Sequence, residues 1–200
     1  MTAQQTRQSN AERVRQIAEL ALSDAVEITC LINVMQKQNT GGINNRLNEA
    51  GAGQAAVVVR NALVARLVTL IARAYPEPKK GDMHLREAAR ILETDNLTRQ
   101  IFAAGAGKER VASFDAHWTK CRGDHRLERI KHFRDKFTAH LGEPKNIEAA
   151  TYTDLFAFGG ETARAMELLA VAAGVAVNPI KRDPEIESSA EAFWTPWSGK

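Results

Sequence analysis

Cysteine is almost missing from this chain: Cys30 and Cys121 are the only two among 200 residues. So few exclude a disulfide framework. Read as lacking close cysteine or histidine partners, they suggest no zinc site either, and both are expected to be buried reduced thiols. Long apolar runs are also missing, because Arg60, Arg66 and Arg73 interrupt the most hydrophobic stretch. No transmembrane segment is therefore expected. The first ten residues lack the apolar block of a secretory signal, which sets the expected localisation as cytoplasmic.

Several chemistries are excluded by similar gaps. There is no Glu-x-x-His pair of the kind that builds a di-metal site inside a helical bundle. The glycines around Gly51 and Gly105 follow no strand pattern and precede no Lys-Ser/Thr, so a phosphate loop is not expected. His84, His117, His125 and His132 read as ordinary surface or partly buried histidines. Neither a metal nor a cofactor is anticipated. Alternating strand patterns, internal repeats and low-complexity blocks are absent too.

What remains is helical. A composition 44% hydrophobic and 26% charged fits a globular protein, expected as a single helical domain over residues 1–178 with an irregular tail over 179–200. From Asn10, Val14, Ile17, Leu20, Ala21, Ile28, Leu31 and Met35 recur at helical spacing until Thr40-Gly41-Gly42. A second pattern from Val57 to Tyr75 buries Leu63, Leu67, Leu70 and Ile71, and Pro76 and Pro78 end it. Asp82 is expected to cap a short helix reaching Glu93, and Asp95 another that carries Leu97, Ile101 and Phe102.

Val111 to Cys121 and 124–141 form one long helix or two parted at Gly123, stopped by Gly142 and Pro144. A last amphipathic helix runs from Asp154 to about Val175, where Gly159-Gly160 can introduce a bend. The tail carries Trp194 and Trp197, expected to pack back on the bundle or on a partner chain. The fold class is all-α, an up-and-down helical bundle with short accessory helices.

Charge is concentrated in one segment. From Lys120 to Lys145 there are eight Lys and Arg against four carboxylates, a surplus of four that exceeds the +3 of the whole chain. A solvated helix face laced with ion pairs accounts for this as well as an anionic partner does. Within the segment, Arg134, Asp135 and His140 lie on one short amphipathic helix. An arginine can stabilise a phosphorane and a histidine can move a proton near neutral pH. The bare spacing is weak, because Arg110 to His117 and Arg126 to His132 are also Arg–His pairs. Only Arg134 is followed at once by an acidic residue, between Phe133 and Phe137, with a helix stop soon after the histidine.

In that context R-D-K-F-T-A-H resembles the signature of the HEPN superfamily, an Arg, a polar residue and a His within a few positions, and looks most like its AbiU-like branch. Residues from about Val57 to Val175 follow the order of those bundles, and T-Y-T-D-L-F resembles the start of their last helix. The resemblance implies a metal-independent endoribonuclease in phage defence or a toxin module, with an antitoxin protein as a further partner. Arg134, Asp135 and His140 would then be catalytic, and Lys131, His132 and Lys136 would contact RNA phosphates.

Residues six apart on a helix are offset by about 120° and about 9 Å along the axis. One copy would give a spread-out site, so the reading implies a homodimer in which two motif helices meet about a two-fold axis. A non-catalytic helical dimer that binds RNA, nucleotide or a protein partner is the alternative. Arg134 as a surface ion-pair former and His140 as a favourable charge at a helix C-terminus need no catalysis at all.

Overall fold

The computed structural model describes residues 3–40, 42–79, 81–135, 150–177 and 184–198, with side chains from residue 10 onward. Among them are nine helices and no strand: α1 Ala3–Gln38, α2 Ile43–Glu49, α3 Gly53–Ala72, α4 Leu85–Thr94, α5 Asn96–Ala106, α6 Lys108–Arg122, α7 Arg126–Arg134, α8 Tyr152–Ala172 and α9 Pro184–Ser198. The all-α bundle is thus the observed fold.

The bundle is built around the pairing of α1 with α8, against which α3, α5, α6 and α7 also pack. Helix α8 can serve as the centre because its second half is apolar nearly all round, with Ala163, Ala165, Met166 and the run Leu168 to Ala172 buried. Small residues let α1 approach it: Ala11, Ala18, Ala21 and Ala25 are buried alongside Val14, Ile17, Ile28 and Met35. Leu20, expected in the core, is instead 52% exposed. The alanines occupy the contact face and Leu20 falls outside it.

Helix α3 is long and apolar enough to cross a membrane by length and composition, with a mean hydropathy of 1.8 over its most apolar 18 residues, a third of which are buried. Its second half is bundle core, with Val64, Leu67, Val68, Leu70 and Ile71 inside. Arg66 there forms a two-pronged ion pair with Glu27 of α1 at 2.6 and 2.7 Å.

Of the two expected caps, one changes and one holds. Asp82 does not cap α4, whose first flanking residue is His84. The Asp82 carboxylate is used earlier, accepting the Lys79 amide at 2.6 Å. Asp95 does cap α5, accepting from the amides of Leu97 and Thr98. Leu97 and Ile101 on that helix are exposed, leaving Phe102 as its apolar anchor.

The tail expected to be irregular contains α9, started by Pro184 at a position where proline suits a helix. Trp194 pins it to the bundle: its ring is buried against Ile43 and Leu47 of α2, and its indole N–H donates to the Val34 carbonyl at 2.9 Å. Helix α2 had no counterpart in the sequence pattern. It is seven residues long, too short for a period to register.

Candidate functional site

Helices α6 and α7 are separate, parted at Gly123-Asp124. Asp124 restarts the chain as helix by accepting from the Arg126 amide at 2.9 Å. It also holds the Arg126 guanidinium at 2.9 and 2.6 Å, and that pairing puts the Asp124 carboxyl below its ordinary range. Arg126 lies over the Phe158 ring at 5.6 Å, so this arginine is tied to the core of the molecule.

Helix α7 packs on α3 and α8 by Leu127 and Ile130, with Phe133 half-buried beside them. Its last turn carries Lys131, His132 and Arg134, where cations are favoured by the helix dipole. Arg134 Nε donates to Asp135 Oδ1 at 2.8 Å and Nη2 lies 2.6 Å from the same oxygen. Lys131 pairs with Glu128 at 3.0 Å rather than with Asp135. The Nε2 of His132 is buried and has no hydrogen-bond partner among the described residues. Lys136 and His140, with Phe137 and the helix stop at Gly142 and Pro144, lie outside the described residues.

A second contact fixes α7 against α8. Thr151 and Asp154 form a capping box, Thr151 Oγ1 accepting the Asp154 amide at 3.0 Å and Asp154 accepting the Thr151 amide at 3.3 Å. Those bonds, followed by the Arg129 charge at 3.4 Å, hold the Asp154 carboxyl below its usual range. The segment T-Y-T-D-L-F is therefore a helix start clamped to the motif helix. Neither Arg129 nor Asp154 was singled out from sequence as a partner of the site, although the S/T-x-x-D/E spacing of a capping box marks Thr151 and Asp154.

The family model described as HEPN_AbiU2, AbiU2, matches residues 10–189. The chain belongs to the HEPN_AbiU2 family. No curated protein and no solved structure matches it significantly. Family membership extends the likeness beyond Val57 to Val175, taking in the long helix α1 from Asn10 onward and the first turns of α9.

The two other Arg–His pairs of this HEPN_AbiU2 chain have different surroundings. Arg126 is held by Asp124 and Phe158 as described. His117 is turned toward α8, its Nε2 3.2 Å from Glu161 Oε2 and 2.9 Å from the Glu161 carbonyl. Cys121 is buried one helical turn further along α6, with Sγ 3.6 Å from the same carbonyl. This corrects the reading of Cys121 as lacking a histidine neighbour. Burial, followed by the Glu161 charge, pushes its thiol pKa up to about 11.

Proposed function

We propose that the protein is a metal-independent endoribonuclease of HEPN type that acts in phage defence or as a toxin. The reading rests on one observation above all: a chain matched by the HEPN_AbiU2 model over residues 10–189 keeps Arg134, Asp135 and His140 in the superfamily order. The Arg134–Asp135 hydrogen bond at the end of α7 supports it, because an oriented guanidinium is what charge stabilisation on a phosphorane requires.

In this mechanism His140 of one copy takes the proton of a ribose 2′-hydroxyl. The freed oxygen attacks the adjacent phosphorus, and negative charge grows on the equatorial oxygens, where Arg134 acts. The P–O5′ bond breaks as the imidazolium of the second copy protonates the leaving 5′-oxygen. The products are a 2′,3′-cyclic phosphate and a 5′-hydroxyl. Lys131, His132 and Lys136 hold flanking phosphates, and Asp135 positions Arg134. Two motif helices about a two-fold axis supply the paired residues.

The test is cleavage of labelled single-stranded RNA by wild-type protein in a chelator, beside Arg134→Ala and His140→Ala. Each substitution is expected to lower the rate by about 10²–10⁴-fold while circular dichroism stays unchanged and the wild type keeps cutting. Cleavage that survives both substitutions, or none by the wild type on any RNA, removes the catalytic reading. The latter outcome, with retained RNA binding, would identify a non-catalytic helical dimer.

A further inference from the structure

On the side of the bundle formed by α1, α6, α8 and α9 there is a cleft of about 670 Å³, lined by Asn33, Gln36, Lys120, Phe156 and Arg164 among others. His117 and Glu161 also face it, and Cys121 lies behind them. The imidazole, thiol and carboxylate donor atoms all lie within 4.8 Å of one another.

We propose that His117, Cys121 and Glu161 form a binding site for a zinc-class divalent cation, with a fourth coordination position open to the cleft. It belongs to α6 and α8 and does not depend on the nuclease reading. His117 and Cys121 stand four residues apart on α6, which puts both on one helix face. Glu161 comes from the facing turn of α8. A tetrahedral zinc ion separates its donors by roughly 3.3–3.7 Å, and His117 Nε2 and Glu161 Oε2, at 3.2 Å, are just under that spacing. The Cys121 sulfur lies within 4.8 Å of both.

The donor set also selects the ion. Thiolate and imidazole favour zinc and its congeners over magnesium or calcium, which take oxygen ligands. As the metal–sulfur bond forms the thiol proton passes to water, and thiolate plus carboxylate then balance a divalent charge. Two groups compete with the ion: the Glu161 carbonyl, which His117 Nε2 and the Cys121 thiol must release, and Lys120, which places Nζ 3.1 Å from both Glu161 carboxylate oxygens. The Lys120 side chain is 61% exposed and can swing into solvent.

The test is titration of the full chain, kept reduced, with Co²⁺ as spectroscopic probe and with Zn²⁺ as its competitor. One equivalent of cobalt should produce thiolate-to-metal charge-transfer absorption that zinc abolishes and magnesium does not. Cys121→Ser should remove that absorption, Cys30→Ser should leave it intact, and His117→Gln and Glu161→Gln should each weaken binding at least about tenfold. Absence of the absorption in wild-type protein, or its survival in Cys121→Ser, overturns the proposal. Because Cys121 is buried and its replacement can disturb folding, His117→Gln and Glu161→Gln provide a separate measurement: unchanged cobalt affinity in both also overturns it.

Discussion

Glu87 and Glu167 are both carboxylates inside the bundle, 4% and 7% exposed, yet their surroundings act in opposite directions. Glu87 receives two hydrogen bonds from Arg90, at 2.7 and 2.9 Å, and has Arg13 of α1 at 3.6 Å. The Arg90 bonds hold its pKa below the ordinary 4.5. Glu167 receives one bond from Arg164 at 3.3 Å, and burial raises its pKa. At neutral pH, therefore, Glu87 contributes stability that is lost as the pH falls below its ordinary value. Glu167 subtracts from stability at neutral pH, and acid relieves it. Glu87→Gln is expected to lower the unfolding free energy by about 1–3 kcal/mol, and Glu167→Gln to leave it unchanged or raise it. Urea unfolding of both variants at neutral pH measures this, and the reverse order would contradict it. The sequence does not separate the two glutamates, since each has an arginine three residues away on its own helix; the difference is that Arg90 gives Glu87 two bonds and Arg13 reaches it from α1, whereas Arg164 gives Glu167 one. The candidate site has the same character: Arg134 and Asp135 were legible as neighbours, whereas the hold of Arg129 on Asp154 spans 25 residues.

Among the elements, α8 shows how close packing is written into a helix. A Cβ at Gly159 would stand 3.1 Å from Ile32 Cδ1 of α1 and 3.2 Å from Ile71 Cδ1 of α3, while one at Gly160 would meet nothing within 4 Å. Gly159→Leu is accordingly expected to destabilise by about 1–3 kcal/mol through overpacking. Gly160→Ala should stabilise by roughly 0.5–1 kcal/mol, because alanine suits a helix interior. Thermal melts of the two variants check the pair, and equal shifts would mean that the glycines are not distinguished by packing. The sequence raised these glycines as a bend in the last helix, and α8 runs as one helix from Tyr152 to Ala172. Long periodic helices such as α1, α3 and α8 were legible because their apolar faces repeat over several turns. Helix α9 was not, since it has Pro196 within it and is attached by Trp194 rather than by a continuous stripe.

The whole molecule is laced by ion pairs between helices: Glu27 with Arg66 joins α1 to α3, Arg99 with Asp115 joins α5 to α6, and Arg129 with Asp154 joins α7 to α8. Hydrogen bonds to Arg66, Asn10 and Arg126 hold Glu27, Asp95 and Asp124 below their ordinary values of 4.5, 3.8 and 3.8. All three bind protons more readily unfolded, so their stabilisation is complete above that range and declines below it. The melting temperature should fall progressively once the pH drops under about 4.5. Added salt at neutral pH should change it little, because exposed pairs each contribute only about 0–1 kcal/mol. A scan of melting temperature against pH and salt tests both arms, and a flat acid limb would count against these carboxylates. At this scale the sequence made the bundle and its charged segment legible. It could not show which surfaces meet, because helices remote in the chain supply each other's partners.

The pairing of α1 with α8 bears on biosynthesis. Gln38 ends α1 and Tyr152 begins α8, so a ribosome adding about 5–20 residues per second makes the first wait roughly 6–23 s for its main partner. Throughout that interval the alanine-rich face of α1 has no α8 to cover it, and the motif helix is already synthesised. A chain stopped short of α8 would carry α7 on an unfinished core, a substrate for chaperones and proteases rather than a folded bundle.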